Sequence, residues 1–185
     1  MRLYDIALFV HMLGLIALFG AFVVSVGAGA RLRSATDMEQ IRTWLGLLES
    51  TGPMFPAGLG LLLLSGLYMM MDSWRALYPW IAVALVGLIL IGVLGGVVVG
   101  RRLRALSAAT AESGGTVSED LSRRIAEPLT WTMMAALNGL ALGIVWVMST
   151  KPGWAGSIIA VALATVLGAA LGSISVRRSR RTVAS

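Results

Sequence analysis

"IALFVHMLGLIALFGAFVVSVGA", residues 6–28, contains no charged side chain and only one residue that titrates near neutrality, His11. Crossing the ~30 Å hydrocarbon layer of a bilayer takes about 20 helical residues, so this stretch is long enough to span a membrane. Arg2 and the small residues 28–30 also resemble a cleavable signal peptide, but the apolar stretch is longer than the core of such peptides. The sequence therefore predicts a retained first membrane span.

Four more stretches have the same character, and 57% of the 185 residues are hydrophobic while 13% are charged. A soluble domain of this length could not bury so much apolar surface. The stretches lack the alternation of barrel strands, so helices must satisfy their backbone polar groups. We predict a single all-α integral membrane domain over 1–185, with spans near 6–28, 54–71, 80–100, 130–149 and 154–176.

The basic residues indicate the topology. With the N-terminus outside and the C-terminus inside, 12 of the 15 basic residues fall on inner segments, and the opposite orientation reverses this ratio. We expect a multi-pass protein of the bacterial cytoplasmic membrane whose positive charge of +6 faces lipid headgroups rather than nucleic acid. No cysteine is present, which excludes disulfides and thiolate chemistry.

Two inner segments have helix-start signals and helical periodicity. Thr36 with Glu39, and Thr116 with Glu119, have the spacing of capping boxes, which predicts amphipathic helices over 37–49 and 117–127. The first helix either lies among headgroups or extends the second span inward. The chain then reads as one helix plus two parallel hairpins, 36–104 and 116–181, that share "IAVAL" at 81–85 and 159–163. Chance similarity between apolar runs explains the likeness equally well.

Small residues recur at every fourth position of three spans. Such stripes allow helix backbones to approach closely, which favours packing within the chain and also suits docking to other membrane subunits or a second copy. The residues are Gly92, Gly96 and Gly100, then Ala135, Gly139 and Gly143, then Gly168 and Gly172.

The chemistry-bearing side chains are few. His11 needs hydrogen-bond partners in hydrocarbon, and Ser65 and Tyr68 count to a similar depth on the second span. Met69 and Met148 end two spans at the same side, so His11 with thioethers would suit Cu(I) or haem b. A helix-bridging histidine with no cofactor is the default interpretation.

Other polar and aromatic residues have structural explanations. Asn138 lies in the fourth span, where we expect it to hydrogen-bond across the bundle. Glu49 and Glu127 precede prolines at inner helix ends, where they suit capping or pairing with arginines. The six tryptophans fall near the predicted boundaries, as an aromatic belt does.

The segment from His11 to Gly14, with Gly20 and "RLR" at 31–33, resembles the first helix of small bacterial membrane proteins. These are the copper-resistance-D-like proteins, a related integral membrane family of unknown function and, distantly, the J-type membrane protoporphyrinogen oxidases. The resemblance, which covers about 3–150, implies that His11 matches a histidine implicated in haem ligation in haem-binding relatives. The chain lacks their further histidines and adds a fifth span.

No nucleophile, base and acid are arranged as in an enzyme site. We therefore expect a non-enzymatic accessory or assembly subunit of a larger membrane complex. A haem- or copper-binding protein that uses His11, and a small transporter, are the alternatives.

Overall fold

Helices long enough to cross a bilayer dominate the computed structural model, which describes residues 2–183, with side chains as far as Val176. In this part of the chain, five helical segments are long and apolar enough to span a membrane, which confirms the predicted all-α, five-span class. The helices are α1 (Leu3–Arg33), α2 (Met38–Thr51), α3 (Met54–Met69), α4 (Pro79–Leu90), α5 (Gly100–Glu112), α6 (Glu119–Ile125), α7 (Pro128–Thr150) and α8 (Trp154–Val183). Of two π-helical stretches, Met70–Trp74 continues α3, and Ile91–Val99 joins α4 to α5.

Large apolar side chains cover the outside of the bundle. Leu64, Val166 and Leu171 are each more than 60% exposed. Exposure of this kind would be costly in water and is ordinary in lipid, where helices gain little from hiding apolar surface. The outer surface therefore supports the membrane location that composition predicted.

One core lies in the middle of the bundle, where α1, α3, α4 and α7 meet. Leu18, Leu62, Ala84 and Leu140 are among its buried members. His11 of α1 lies beside Ser65 of α3, and Leu18, farther along α1, lies beside Gly58, which is earlier on α3. These two helices therefore pack antiparallel. By contrast, α8 packs mainly along α7 at the edge of the bundle.

A second core lies at the arginine-rich end. The apolar face of α2, with Ile41 and Leu45, is buried there against the ends of α1 and α8 and against α5 and α6. The chain continues from α2 into α3 through Gly52 and Pro53, so α2 extends the second span at its arginine-rich end. The amphipathic face covers protein rather than lying among headgroups. The side chains of Arg177, Arg178, Arg180 and Arg181 lie outside the described part.

The helix starts differ from the predicted capping boxes. Asp37, not Thr36, caps α2, because its Oδ1 accepts a hydrogen bond from the backbone N–H of Gln40 at 2.8 Å. Ser118, not Thr116, caps α6, because its Oγ accepts from the N–H of Leu121 at 3.1 Å. In both cases a residue with extended backbone and a good capping side chain lies closer to the first turn.

The two predicted hairpins pack differently. α7 and α8 lie along each other, whereas α3 packs mainly on α1 and makes few contacts with α4. The internal repeat therefore stays a prediction from the sequence likeness alone.

Candidate functional site

His11 lies half-buried on the face of α1 that packs against α3. Its Nδ1 is 3.0 Å from Ser65 Oγ, one of the two partners that depth counting suggested. Ser65 Oγ also donates its single proton to the carbonyl oxygen of Leu61, one turn earlier on α3. The hydroxyl must therefore accept from His11, which assigns the proton of a neutral imidazole to Nδ1.

The other ring nitrogen, Nε2, is then the one with a free lone pair. The backbone of Leu62 on α3 is a further hydrogen-bond partner of the ring, and the half-buried side chain is not sealed from the surface of the α1–α3 pair. A histidine that ligates a metal commonly has this arrangement, with one nitrogen donating to an oxygen and the other left available. The arrangement would equally suit a donor from another protein.

Close backbone contact brings His11 and Ser65 together. A Cβ on Gly66 would lie 3.4 Å from His11 Cε1, and a Cβ on Gly14 would lie 3.0 Å from the carbonyl oxygen of Gly58. The sequence stripes missed these glycines, because they lie on two different spans and their pairing depends on register.

The two methionines proposed as companions of His11 lie at the ends of α3 and α7. Met69 is half-buried at the end of α3, and Met148 packs against the central core. Tyr68 forms no hydrogen bond with His11 among the described residues. No three His, Asp or Glu side chains in the described residues cluster as metal ligands do. Cofactor binding through His11, Met69 or Met148 stays a prediction.

Asn138 does not bond across the bundle as expected. Its Nδ2 donates to the carbonyl oxygen of Met134 at 2.9 Å, on its own helix. The side-chain amide reaches the carbonyl one turn back, which satisfies one of its two N–H donors within its own helix.

The stripes on α7 and α8 interlock. A Cβ on Gly143 would lie 3.0 Å from Val161 Cα, and a Cβ on Gly172 would lie 2.6 Å from Ala135 Cβ. A Cβ added to Gly139 would likewise collide with the carbonyl oxygen of Ala164, and one added to Gly168 would collide with that of Ala135. These small residues let the two helices touch backbone to backbone.

The third stripe has a different environment. A Cβ on Gly96 would have no neighbour within 4 Å, and one on Gly92 would meet only the Leu59 side chain, at 3.1 Å. Gly100 lies under the guanidinium of Arg104, with 3.5 Å from its added Cβ to Nη1. Gly92, Gly96 and Gly100 all line a cavity beside the π-helical stretch Ile91–Val99, and of the three only Gly92 also approaches a neighbouring helix.

This cavity has a volume of about 520 Å³ and lies between α1, the α2–α3 bend, the π-helical stretch and α7. Its walls are mostly apolar, with Phe55 and Leu137 among them. At its rim are the charged side chains of Glu49 and Arg104, and in its wall is Ser25. Long π-helical stretches are rare and often occur at functional sites.

The two glutamates predicted to be equivalent differ. Glu127 forms an ion pair with Arg102. Glu49 and Arg104 form no ion pair among the described residues, although both are exposed at the cavity rim. Glu49 is thus left available to a ligand of the cavity.

The opposite end of the bundle holds an aromatic cluster that the belt interpretation missed. Lys151 Nζ lies 4.7 Å from the ring centre of Trp74 and 5.7 Å from that of Trp80. Tyr78 stacks with Trp80 at 6.5 Å. The ammonium joins the loop after α3 to the loop after α7, a pairing that no local pattern could indicate.

Five apolar helices whose outer surface is covered by large apolar side chains define a multi-pass α-helical membrane protein. A family model described as "Predicted integral membrane protein (DUF2269)" matches residues 5–152, and the chain belongs to this family. The match covers α1 to α7 and ends before α8 begins at Trp154. No curated protein and no solved structure shows significant similarity to the chain.

Proposed function

We propose that this protein is a non-enzymatic accessory or assembly subunit of a larger complex in the bacterial cytoplasmic membrane, with its N-terminus outside. One observation carries the proposal, which is that the imidazole of His11 is only half-buried at the surface of the α1–α3 pair. The part of a polar ring that faces hydrocarbon is costly unless something bonds to it. A donor from a neighbouring subunit would satisfy it.

Two further features support a docking role. The side chains beside His11 on the outer face, Phe9 and Met12, are large, apolar and more than 50% exposed. The fifth span, α8, lies beyond the residues that the family model matches, and its outward face is apolar. The α7–α8 stripe does not support docking, because those small residues are used within the chain.

Site-specific photocrosslinking in native membranes tests the proposal. A photoreactive amino acid at Met12, beside His11, should give a discrete adduct with another membrane protein, and the same probe at Val23 on the outer surface of α1 serves as the control. The adduct should weaken in a His11→Phe background, which removes the acceptor nitrogen. A chain that purifies alone as a monomer, with no adduct from Met12, contradicts the proposal.

A second function is favoured by the tautomer of His11. With Nδ1–H donating to Ser65, Nε2 is ready to bind haem iron or copper, as the resemblance to the copper-resistance-D-like and protoporphyrinogen oxidase families also suggests. The chain has a single histidine, so a second ligand would come from a methionine or from His11 of a second copy.

Absorbance spectra and metal analysis of the purified protein separate the two functions. A haem or copper site predicts a stoichiometric chromophore or metal that is lost in His11→Ala and altered in Ser65→Ala. A colourless, metal-free protein that still forms the Met12 adduct would favour the subunit function.

A further inference from the structure

We infer that the cavity at the arginine-rich end is a binding site for one diacyl phospholipid with a primary-amine headgroup, of which phosphatidylethanolamine is the type. Its volume of about 520 Å³ falls within the ~300–1,000 Å³ of small-molecule sites. This inference is independent of His11 and of any protein partner.

The walls of the cavity form the part of the site that receives an acyl chain. They are apolar, and the glycines of the π-helical stretch keep them open, since a side chain at Gly96 would project into empty space. A packed membrane protein leaves few voids of this size, and an empty apolar cavity forfeits the contacts of its lining. A hydrocarbon chain from the surrounding bilayer restores those contacts.

Ser25 defines a polar contact inside the cavity. Its side chain is 2% exposed and lines the cavity, yet its hydroxyl forms no hydrogen bond in the described structure. The hydroxyl oxygen is not fully enclosed by protein, so it reaches the cavity space. Ser25 lies six residues before Arg31, roughly 9 Å farther from the arginine-rich end at 1.5 Å per residue, so the hydroxyl is placed to donate to an ester carbonyl below the headgroup.

The rim defines the headgroup. Arg104 folds back over Gly100, and Glu49 lies across the mouth on α2, with neither paired to another described residue. A guanidinium binds a phosphate diester well, and a carboxylate binds a primary ammonium. A headgroup with both charges fits this pair, whereas an anionic glycerol headgroup leaves Glu49 unpaired and a quaternary ammonium cannot donate to it.

Photolabelling of the full-length protein in detergent micelles tests the inference. The probes are phosphatidylethanolamine, phosphatidylglycerol and phosphatidylcholine, each with a diazirine in one acyl chain. The ethanolamine probe should label the cavity wall, at residues such as Phe22, Phe55 and Met134, about two- to fivefold more than the other two probes. Adducts confined to the outer faces of the helices, or equal labelling by all three probes, would overturn the inference.

Three variants test which residues of the cavity bind the lipid. Gly96→Leu fills the cavity and should reduce wall labelling by about tenfold or more. Its matched control is Gly60→Leu, since a Cβ at Gly60 also meets nothing within 4 Å but lies outside the cavity. Glu49→Gln should abolish the preference for the ethanolamine probe. Arg104→Gln should reduce labelling by all three probes, and its control, Arg101→Gln, should not reduce it.

Equal labelling of Gly96→Leu and Gly60→Leu overturns the site. If Gly96→Leu does not yield a monodisperse protein, Ser25→Ala takes its place, because removal of one hydroxyl leaves the packing intact. That variant should lower labelling by the ethanolamine probe, and unchanged labelling contradicts the ester contact.

Discussion

Gly139 on α7 and Gly168 on α8 face each other with no side chain between them. A Cβ added to Gly168 would lie 3.1 Å from the Cα of Gly139, and one added to Gly139 would lie 3.2 Å from the Cα of Gly168. In lipid, apolar side chains gain nothing by leaving solvent, so backbone contact of this kind is the main attraction between the two helices. The edge helix α8 depends on it, because α8 packs mainly on α7.

Gly168→Leu should therefore loosen or detach α8. The added side chain meets the backbone of Ala135, which cannot move aside, and overpacking of this kind costs about 1–3 kcal/mol. The free energy of unfolding in mixed detergent micelles measures the effect. Gly60→Leu, which adds the same side chain where a Cβ meets nothing within 4 Å, should be close to neutral. Equal losses in both variants would contradict the predicted contact.

Ser65→Ala should destabilise the α1–α3 pair. It removes the acceptor for Nδ1–H of His11, and interhelical hydrogen bonds in membranes contribute on average about 0.6 kcal/mol. A double-mutant cycle with His11→Phe, read from thermal unfolding in detergent, isolates the pair. In the His11→Phe background the serine change should have little effect, and an undiminished loss there would mean that the two side chains are not coupled.

Lys151→Asn should destabilise the loops at the aromatic end, because the cation–π contact with Trp74 is lost, at a cost of about 0.5–1 kcal/mol. Lys151 and Arg75 both have a φ of +50°, a conformation that asparagine tolerates well. Arg75→Asn is the matched control, since Arg75 has no cation–π contact among the described residues. Thermal unfolding monitored by tryptophan fluorescence should show a loss for Lys151→Asn and no loss for Arg75→Asn.

The predicted topology can be tested directly because the chain has no cysteine. Ala76→Cys lies in the exposed loop after α3, and Ala111→Cys lies exposed near the end of α5. With the N-terminus outside, a membrane-impermeant maleimide should label intact cells at position 76 and reach position 111 only after lysis. The reverse pattern would invert the predicted orientation.

The chain's pattern was sufficient to predict the membrane class and the five spans. Each span is recognised by its own length and apolar composition, because a helix satisfies all its backbone hydrogen bonds within one segment. The possible contact between His11 and Ser65 was also accessible, since counting residues from a boundary places two spans at equal depth. The position of each span and the depth of each residue depend only on residues that are near each other in sequence.

Helix starts were predicted one or two residues early, at Thr36 and Thr116 instead of Asp37 and Ser118. Competing capping residues lie within two positions of each other there, and the backbone conformation decides between them. Asn138 was assigned a partner on another helix, although its own helix offers a carbonyl oxygen within reach. In both cases local geometry, which the pattern of residue types does not record, determined the result.

By itself, the amino-acid sequence determined where the helices lie and that lipid surrounds them, because hydropathy acts on each segment separately. Only the tertiary structure decided that Gly139 is pressed against α8 while Gly96 opens onto a cavity, and that Lys151 lies over Trp74. A stripe of small residues shows which face of a helix allows close approach, but not which helix arrives there. That choice depends on register and on the π-helical stretch of the third span, and both arise from packing among all the helices together.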